Sequence, residues 1–344
     1  ILCWRYNFEK MDESHFDFIE NERSKILFVD NNISSISFVQ QEGLIGTDSG
    51  SIYYASFAQN TSIKILSSHK FNINSLDSCN DFVLTSGDDG TVRAWTPDSF
   101  DQKYQFMKIN EKCENVYFNK NDNVAVALYE SSVRVFNLST LKSLGQIKIP
   151  ENDINIASYI FNNQGLFVST CQDRLFVLMI QNWDPLSVLF TEINNSFIPV
   201  NQMSKYIDSK NLSIAKSLVT MSFSDGTVIV IKVEKLDGKI DTAIMDRFNM
   251  FEYHISKSDD VVTAELFKNL TKFRTNYISQ VNFSKKYDDH LFCFHECLQF
   301  LYIRNYTTNE VYRRIPLNYF PSALSISEKE NYIAVGTREG LILF

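Results

Sequence analysis

Short runs of alternating apolar and polar residues recur along the chain, each after a tight-turn signal. They are GSIYYASF from Gly50, GTVRAW from Gly90, SSVRVF from Ser131, DRLFVLMI from Asp173, GTVIVIKV from Gly226, CLQFLYI from Cys297 and GLILF from Gly340. Alternation at period two puts successive side chains on opposite faces, as in a half-buried strand. The first four runs start 40, 41 and 42 residues apart and the last two 43 apart. Such a period holds four short strands and their turns.

The companion strands are legible in several units. In the second they are FNINSL from Phe71, DFVLTSG from Asp81, TVRAW from Thr91 and YQFMKI from Tyr104; in the first, ISSISF from Ile33, GLIGT from Gly43, SIYYASF and TSIKIL from Thr61. Regular four-stranded units pack radially, so the pattern predicts an all-β chain forming one seven-bladed β-propeller over residues 1–344, with blades of four antiparallel strands. The seventh unit, SALSIS from Ser322, YIAVGT from Tyr332 and LILF, has no fourth strand of its own. The apolar run ILCWRYNF at residues 1–8 either supplies that strand and closes the ring, or is the tail of a preceding propeller; residues 1–30 are then closing strand and linker, or that tail.

Two spacings, 53 from Asp173 to Gly226 and 71 from Gly226 to Cys297, exceed the period. The excess falls in residues 181–211 and 236–276, read as insertions projecting from the ring and as first candidates for partner contacts. Composition adds exclusions. The formal charge is −8 with Lys and Arg scattered, against the basic stripe that a nucleic-acid partner needs. No long uncharged apolar run points to a membrane span. The six cysteines, at 3, 79, 113, 171, 293 and 297, stand mostly in strand-like contexts where buried thiols are common, which suits a reducing, intracellular setting.

Candidate chemistry centres on SGDDGTVRAW, Ser86 to Trp95. Asp88 and Asp89 are adjacent and leave no gap for substrate or water, so they do not form a catalytic pair. Gly87 and Gly90 have no following Lys-Ser/Thr, and the stretch lacks the spaced oxygen ligands of a calcium loop. Asp-Gly between two apolar runs is instead a hairpin turn, with Asp89 expected inward and Asp88 toward solvent. In HLFCFHEC, a continuous strand would put Cys293, His295 and Cys297 on one side and His290 on the other, which spoils a tetrahedral metal site. No nucleophile motif is present, and no enzyme activity, cofactor or metal is expected.

SGDDGTVRAW resembles the end of a WD40 repeat, with Trp95 at the tryptophan position and Thr96 where that family often has Asp. His69 in LSSHKFNINSL resembles the histidine of the repeat's Gly-His, with Ser68 replacing Gly. The resemblance implies a buried structural network of His69, Ser86 or Thr85, Asp89 and Trp95. Elsewhere Asp173 and Asp225 resemble the turn Asp, Ser49, Ser131 and Glu339 stand at or near it, and Phe136 replaces the Trp. In the order of segments GLIGTDSGSIYYASF, LTSGDDGTVRAWTPDSF, NVAVALYESSVRVFNLSTL and VYRRIPLNYFPSALSISEKENYIAVGTREGLILF, the chain also resembles the WD-repeat region of a family of multi-propeller centriole and basal-body wall proteins. That family carries a microtubule-associating N-terminal domain, which is absent from these residues. The resemblance implies a scaffold propeller of the cytoskeleton, contacting other structural proteins of a centriole, basal body or ciliary axoneme, with direct tubulin contact uncertain. Two other classes stay open: a propeller adaptor in trafficking or ubiquitin transfer, and a ligand-binding or enzymatic propeller with polar groups around its channel.

Overall fold

The computed structural model describes residues 26–343 apart from 30, 40–41, 57–58, 60, 79–80, 98, 100, 107–108, 120–122, 149–155, 162–164, 170–174, 194–208, 216–217, 224–225, 237–238, 257–278, 285–288 and 328–331. Seven four-stranded antiparallel sheets account for nearly all of it. From innermost to outermost strand, blade 1 is Ile33–Val39, Glu42–Thr47, Ser51–Ser56 and Thr61–Ser67. Blade 2 is Ile73–Ser78, Val83–Gly87, Val92–Trp95 and Gln102–Gln105. Blade 3 is Cys113–Asn119, Val124–Tyr129, Ser132–Asn137 and Lys142–Lys148. Blade 4 is Ile156–Phe161, Gly165–Ser169, Leu175–Trp183 and Leu186–Ile193. Blade 5 is Ser209–Ala215, Leu218–Phe223, Thr227–Leu236 and Lys239–Asn249. Blade 6 is Ser279–Phe283, His290–His295, Phe300–Asn305 and Glu310–Pro316. Blade 7 is Pro321–Ile326, Ile333–Thr337 and Leu341–Leu343.

The fourth strand of blade 7 comes from the other end of the described chain: Ile26–Phe28 pairs with Leu341–Leu343, Ile26 opposite Leu343 and Phe28 opposite Leu341. The strand on this edge is thus ILF at 26–28, not ILCWRYNF at 1–8, which lies outside the described residues. The innermost strands of successive blades are neighbours from blade 1 through blade 7 and back to blade 1.

The repeat is more regular in backbone than in sequence. A register shift recurs at the start of the innermost strand, between Ile33 and Ser35, Ile73 and Ser75, Cys113 and Asn115, Ser209 and Asn211, and Pro321 and Ala323. Such a bulge bends the strand and steepens its twist, which suits a sheet entering a narrow centre. The apolar core lies between blades. Leu44 and Ile52 of blade 1 meet Ile73, Leu76, Val83 and Trp95 of blade 2, and Ala323 and Ala334 of blade 7 meet Ile33, Ile36 and Ile45 of blade 1. Glycine lets these sheets approach, since a Cβ on Gly46 would stand 2.8 Å from the Ile73 side chain and one on Gly336 2.5 Å from that of Ile33.

Polar side chains tie several of the seams between successive blades. Ser34 donates to the Ile73 carbonyl at 2.6 Å, Asn74 to that of Cys113 at 3.1 Å, and Ser222 to that of Ser279 at 2.9 Å. Asn282 donates to the Leu324 carbonyl at 3.1 Å and Ser322 to that of Ile33 at 2.6 Å. Each of these donors reaches the following blade; Ser78, which donates to the Phe38 carbonyl at 2.8 Å, reaches back.

Both expected insertions are partly blade. Residues 181–193 continue the outer hairpin of blade 4 and 209–211 begin blade 5, so within 181–211 only 194–208 lies outside the described residues. In 236–276, Lys239–Asn249 is the outer strand of blade 5, and the helix Met250–Ser256 follows it, while 257–276 lies outside the described residues. Asn249 caps this helix by accepting from the Phe251 and Glu252 amides, each at 3.0 Å. Met250 and Phe251 then bury against Leu298 and Tyr302 of blade 6.

Candidate structural site of blade 2

The turn Asp88–Gly90 links the second and third strands of blade 2. Gly90 has φ +72, and a Cβ there would lie 2.0 Å from the Ile109 carbonyl oxygen, so only glycine closes this turn without strain. The turn aims the Asp89 carboxylate back at the loop entering the blade. One oxygen stands 2.9 Å from His69 Nδ1 and accepts from the Thr91 hydroxyl at 2.7 Å and the Thr91 amide at 3.1 Å. The other accepts from the Lys70 amide at 3.1 Å and the Arg93 guanidinium at 3.3 Å.

The far side of the imidazole completes the chain. His69 Nε2 is 2.7 Å from the Thr85 hydroxyl, and the Trp95 indole N–H donates to that same oxygen at 3.0 Å. With Nδ1–H donating to the carboxylate, Nε2 accepts from Thr85, whose oxygen accepts from Trp95. Every donor then has an acceptor, the condition for burying such groups. Burial alone would raise the Asp89 pKa, but hydrogen bonds from His69, Thr91 and Lys70 outweigh it and hold the carboxyl well below its usual range.

Of the expected residues, His69, Asp89 and Trp95 come together and Ser86 does not; Thr85 takes its place. The reason is the alternation of the strand. Ser86 pairs with Ser75 just as Gly46 pairs with Ser35 and Gly336 with Ala323, the positions that face the next blade. There its hydroxyl lies beside the buried thiol of Cys113 without good hydrogen-bond geometry. Asp88 is also less open than expected, accepting from the Asn74 amide at 2.8 Å with Lys112 Nζ 3.8 Å away.

Other blades fill the place differently. In blade 1 the Thr47 and Ser49 hydroxyls are 3.0 Å apart, and Thr47 accepts from the Ser51 amide at 3.1 Å. In blade 3 Ser131 donates its hydroxyl to Glu111 at 2.8 Å, so the carboxylate comes from the entering loop. Phe136, at the tryptophan position, is buried with its ring centroid 4.4 Å from that of Phe106. Glu339 is exposed at its turn, and Asp173 and Asp225 lie outside the described residues.

The His and Cys residues of blade 6 are dispersed by a turn. The strand His290–His295 ends where a 3-10 turn, Glu296–Leu298, begins, so Cys297 does not continue the face of Cys293 and His295. Cys293 packs with Val281 and Tyr302, and burial pushes its thiol pKa up. His295 accepts from the Cys297 amide at 3.2 Å, and His290 Nδ1 is 2.6 Å from Asp289. Among the described residues no three His, Cys, Asp or Glu side chains are grouped as metal ligands, and no helix is long and apolar enough to cross a membrane.

A second polar site has no advance signal in the sequence. Arg304 of blade 6 donates to both oxygens of Asp246, on the outer strand of blade 5, at 2.7 Å each. Both residues are buried, and the guanidinium carbon lies 4.5 Å from the centre of the Phe248 ring. In sequence Asp246 sits within the segment 236–276 read as an insertion, 58 residues from Arg304.

Comparison with known proteins agrees with this architecture. No family model matches the chain. WD repeat-containing protein 90 of Xenopus tropicalis is 24% identical over 134 residues, 36% of this chain and 7% of that protein. The protein of the same name from Mus musculus is 25% identical over 153 residues, 42% of this chain and 8% of that protein. These matches take in less than a tenth of the relatives' length. Among solved structures, the Cps50 (Swd1) β-propeller domain of Myceliophteria thermophila superposes with a TM-score of 0.69 at 13% identity, covering 94% of this chain and 97% of that one. The WD40 propeller domain of Doa1 gives a TM-score of 0.65 at 10% identity, covering 91% and 92%. Blade repeat, turn chemistry and superposition agree: the chain has the WD40 β-propeller fold.

Proposed function

We propose that this propeller is a non-enzymatic structural scaffold that presents its surfaces to other structural proteins of a centriole, basal body or ciliary microtubule assembly. WD40 propellers generally serve as platforms for protein–protein contact. The observation that carries the reading beyond this is the ordered resemblance of four segments to the centriole-wall family, in keeping with the partial matches to WD repeat-containing protein 90. The blade 2 chemistry supports a scaffold as well. The Asp89 carboxylate and both nitrogens of His69 are engaged inside the blade, which leaves neither as a proton-transfer group for a substrate.

The test is location. A fluorescent tag on the protein in a ciliated cell should give a signal at basal bodies or along the axoneme that persists after detergent extraction. A diffuse or vesicle-associated signal would overturn the assignment.

A further inference from the structure

Two arginines of blade 6 rest on aromatic rings where that blade meets blade 5, and one of them has an acid. The Arg304 guanidinium carbon lies 4.5 Å from the centre of the Phe248 ring, and its N–H edge donates to both oxygens of Asp246. The Arg314 guanidinium carbon lies 4.7 Å from the centre of the Phe300 ring. Arg314 joins no ion pair among the described residues, although Glu310 stands in its own strand and Glu252 in the helix Met250–Ser256.

A guanidinium whose face is taken by a ring keeps its N–H edge for an in-plane acceptor, and a carboxylate fits that fork with two bonds. Arg304 is the completed form of this arrangement. Arg314 is the same form with an exposed side chain and no acceptor. Arg134 of blade 3 differs, because its Nε is buried above the Tyr129 ring and its edge is not presented in full.

The surroundings of Arg314 are fixed from both blades. Tyr302 opposes Arg314 across the outer two strands and Phe300 lies two residues before Tyr302, so the three share one face. The helix packs on that face. The His254 ring centroid is 5.2 Å from that of Phe300, its Nδ1 is 3.3 Å from the Tyr302 hydroxyl, and the Tyr253 ring is 6.0 Å from the Tyr302 ring. Burial, and then the charge of Arg314, hold His254 below its ordinary pKa. At neutral pH the imidazole is therefore an uncharged wall, and the positive charge of this cluster is that of Arg314.

We propose that the N–H edge of Arg314, bracketed by Phe300 and the helix Met250–Ser256, is a contact site for an aspartate or glutamate side chain of a partner protein. The proposal rests on the scaffold reading above and gives one contact of that scaffold its chemistry. A ring-held arginine binds at little cost in side-chain order, which suits it to anchor an interface. The formal charge of −8 repels an extended polyanion, so a single carboxylate fits better than a phosphate chain.

A nuclear magnetic resonance titration of the labelled chain tests this through the arginine Nε–Hε signals, with Arg314→Lys identifying the Arg314 signal by its loss. The probe is the peptide acetyl-Gly-Glu-Gly-amide. It should move the Arg314 signal saturably and leave that of Arg304 in place, whereas acetyl-Gly-Gln-Gly-amide should move neither. Phe300→Leu keeps the arginine and removes the ring, and should raise the half-saturating concentration at least about threefold. No movement at Arg314, equal movement with the Gln peptide, unchanged affinity in a folded Phe300→Leu variant, or saturation by inorganic phosphate at lower concentration than by the Glu peptide would each overturn the proposal. Absence of binding together with a basal-body signal strikes this site alone, and binding together with a diffuse signal strikes the assigned assembly alone.

Discussion

Arg304 closes on Asp246 across the joint between blades 6 and 5, two parallel bonds of 2.7 Å joining side chains that are both almost wholly buried. A planar guanidinium stacked on Phe248 suits this site as an ammonium would not.

Asp246→Ala leaves a buried guanidinium without its carboxylate and should cost about 3–5 kcal/mol, the range for breaking a buried pair from one side. Adding Arg304→Met should recover most of that loss, because the second change removes the stranded charge. Urea unfolding of both variants measures it; equal stability of single and double variants would show that the pair itself carries little.

Thr85 and Ser86 are chain neighbours with opposite expectations. Thr85→Val keeps the branched shape but removes the oxygen shared by His69 and Trp95, leaving two buried nitrogens unpaired at a cost of about 2–4 kcal/mol. Ser86→Ala removes a hydroxyl without good hydrogen-bond geometry, so the change should stay within about 0.5 kcal/mol. Denaturant midpoints of the two variants check the assignment, and a reversal of their order would return Ser86 to the network.

Asp89 makes part of the stability depend on pH, with a definite sign. Its folded pKa is depressed below the unfolded value, so its contribution is fully present above the unfolded pKa of about 3.9 and is lost as pH falls below it. The stability difference between wild type and Asp89→Asn should therefore be constant from neutral pH down to about pH 5 and shrink under more acid conditions. Unfolding free energies measured from pH 3 to 7 give the profile; a difference that grows on acidification would contradict the depressed pKa.

How far the sequence discloses this molecule depends on whether a signal is local. The strand runs beginning at Gly50, Gly90, Ser131 and Gly226 are local patterns, and each is the third strand of a blade. Choosing Thr85 over Ser86 is not local, since both suit a strand and the register shift between Ile73 and Ser75 decides which faces the histidine. The three-residue strand Ile26–Phe28 is too short to show a period, and the longer apolar run ahead of it attracts the assignment instead. Lys239–Asn249 is taken into the insertion 236–276 because an outer strand with polar neighbours has a weak hydrophobic pattern, and its ion pair joins residues 58 apart in sequence.

Five of the bonds between successive blades divide their labour unevenly. Ser34, Asn74, Ser222, Asn282 and Ser322 give from side chains, while the next blade receives on main-chain carbonyls. Any amino acid offers a carbonyl. At each of these bonds the giving blade is therefore held to a particular residue and the receiving blade to a backbone path alone. Blades joined in this way can part company in composition while their spacing stays the same, and a ring can outlast the resemblance of its members.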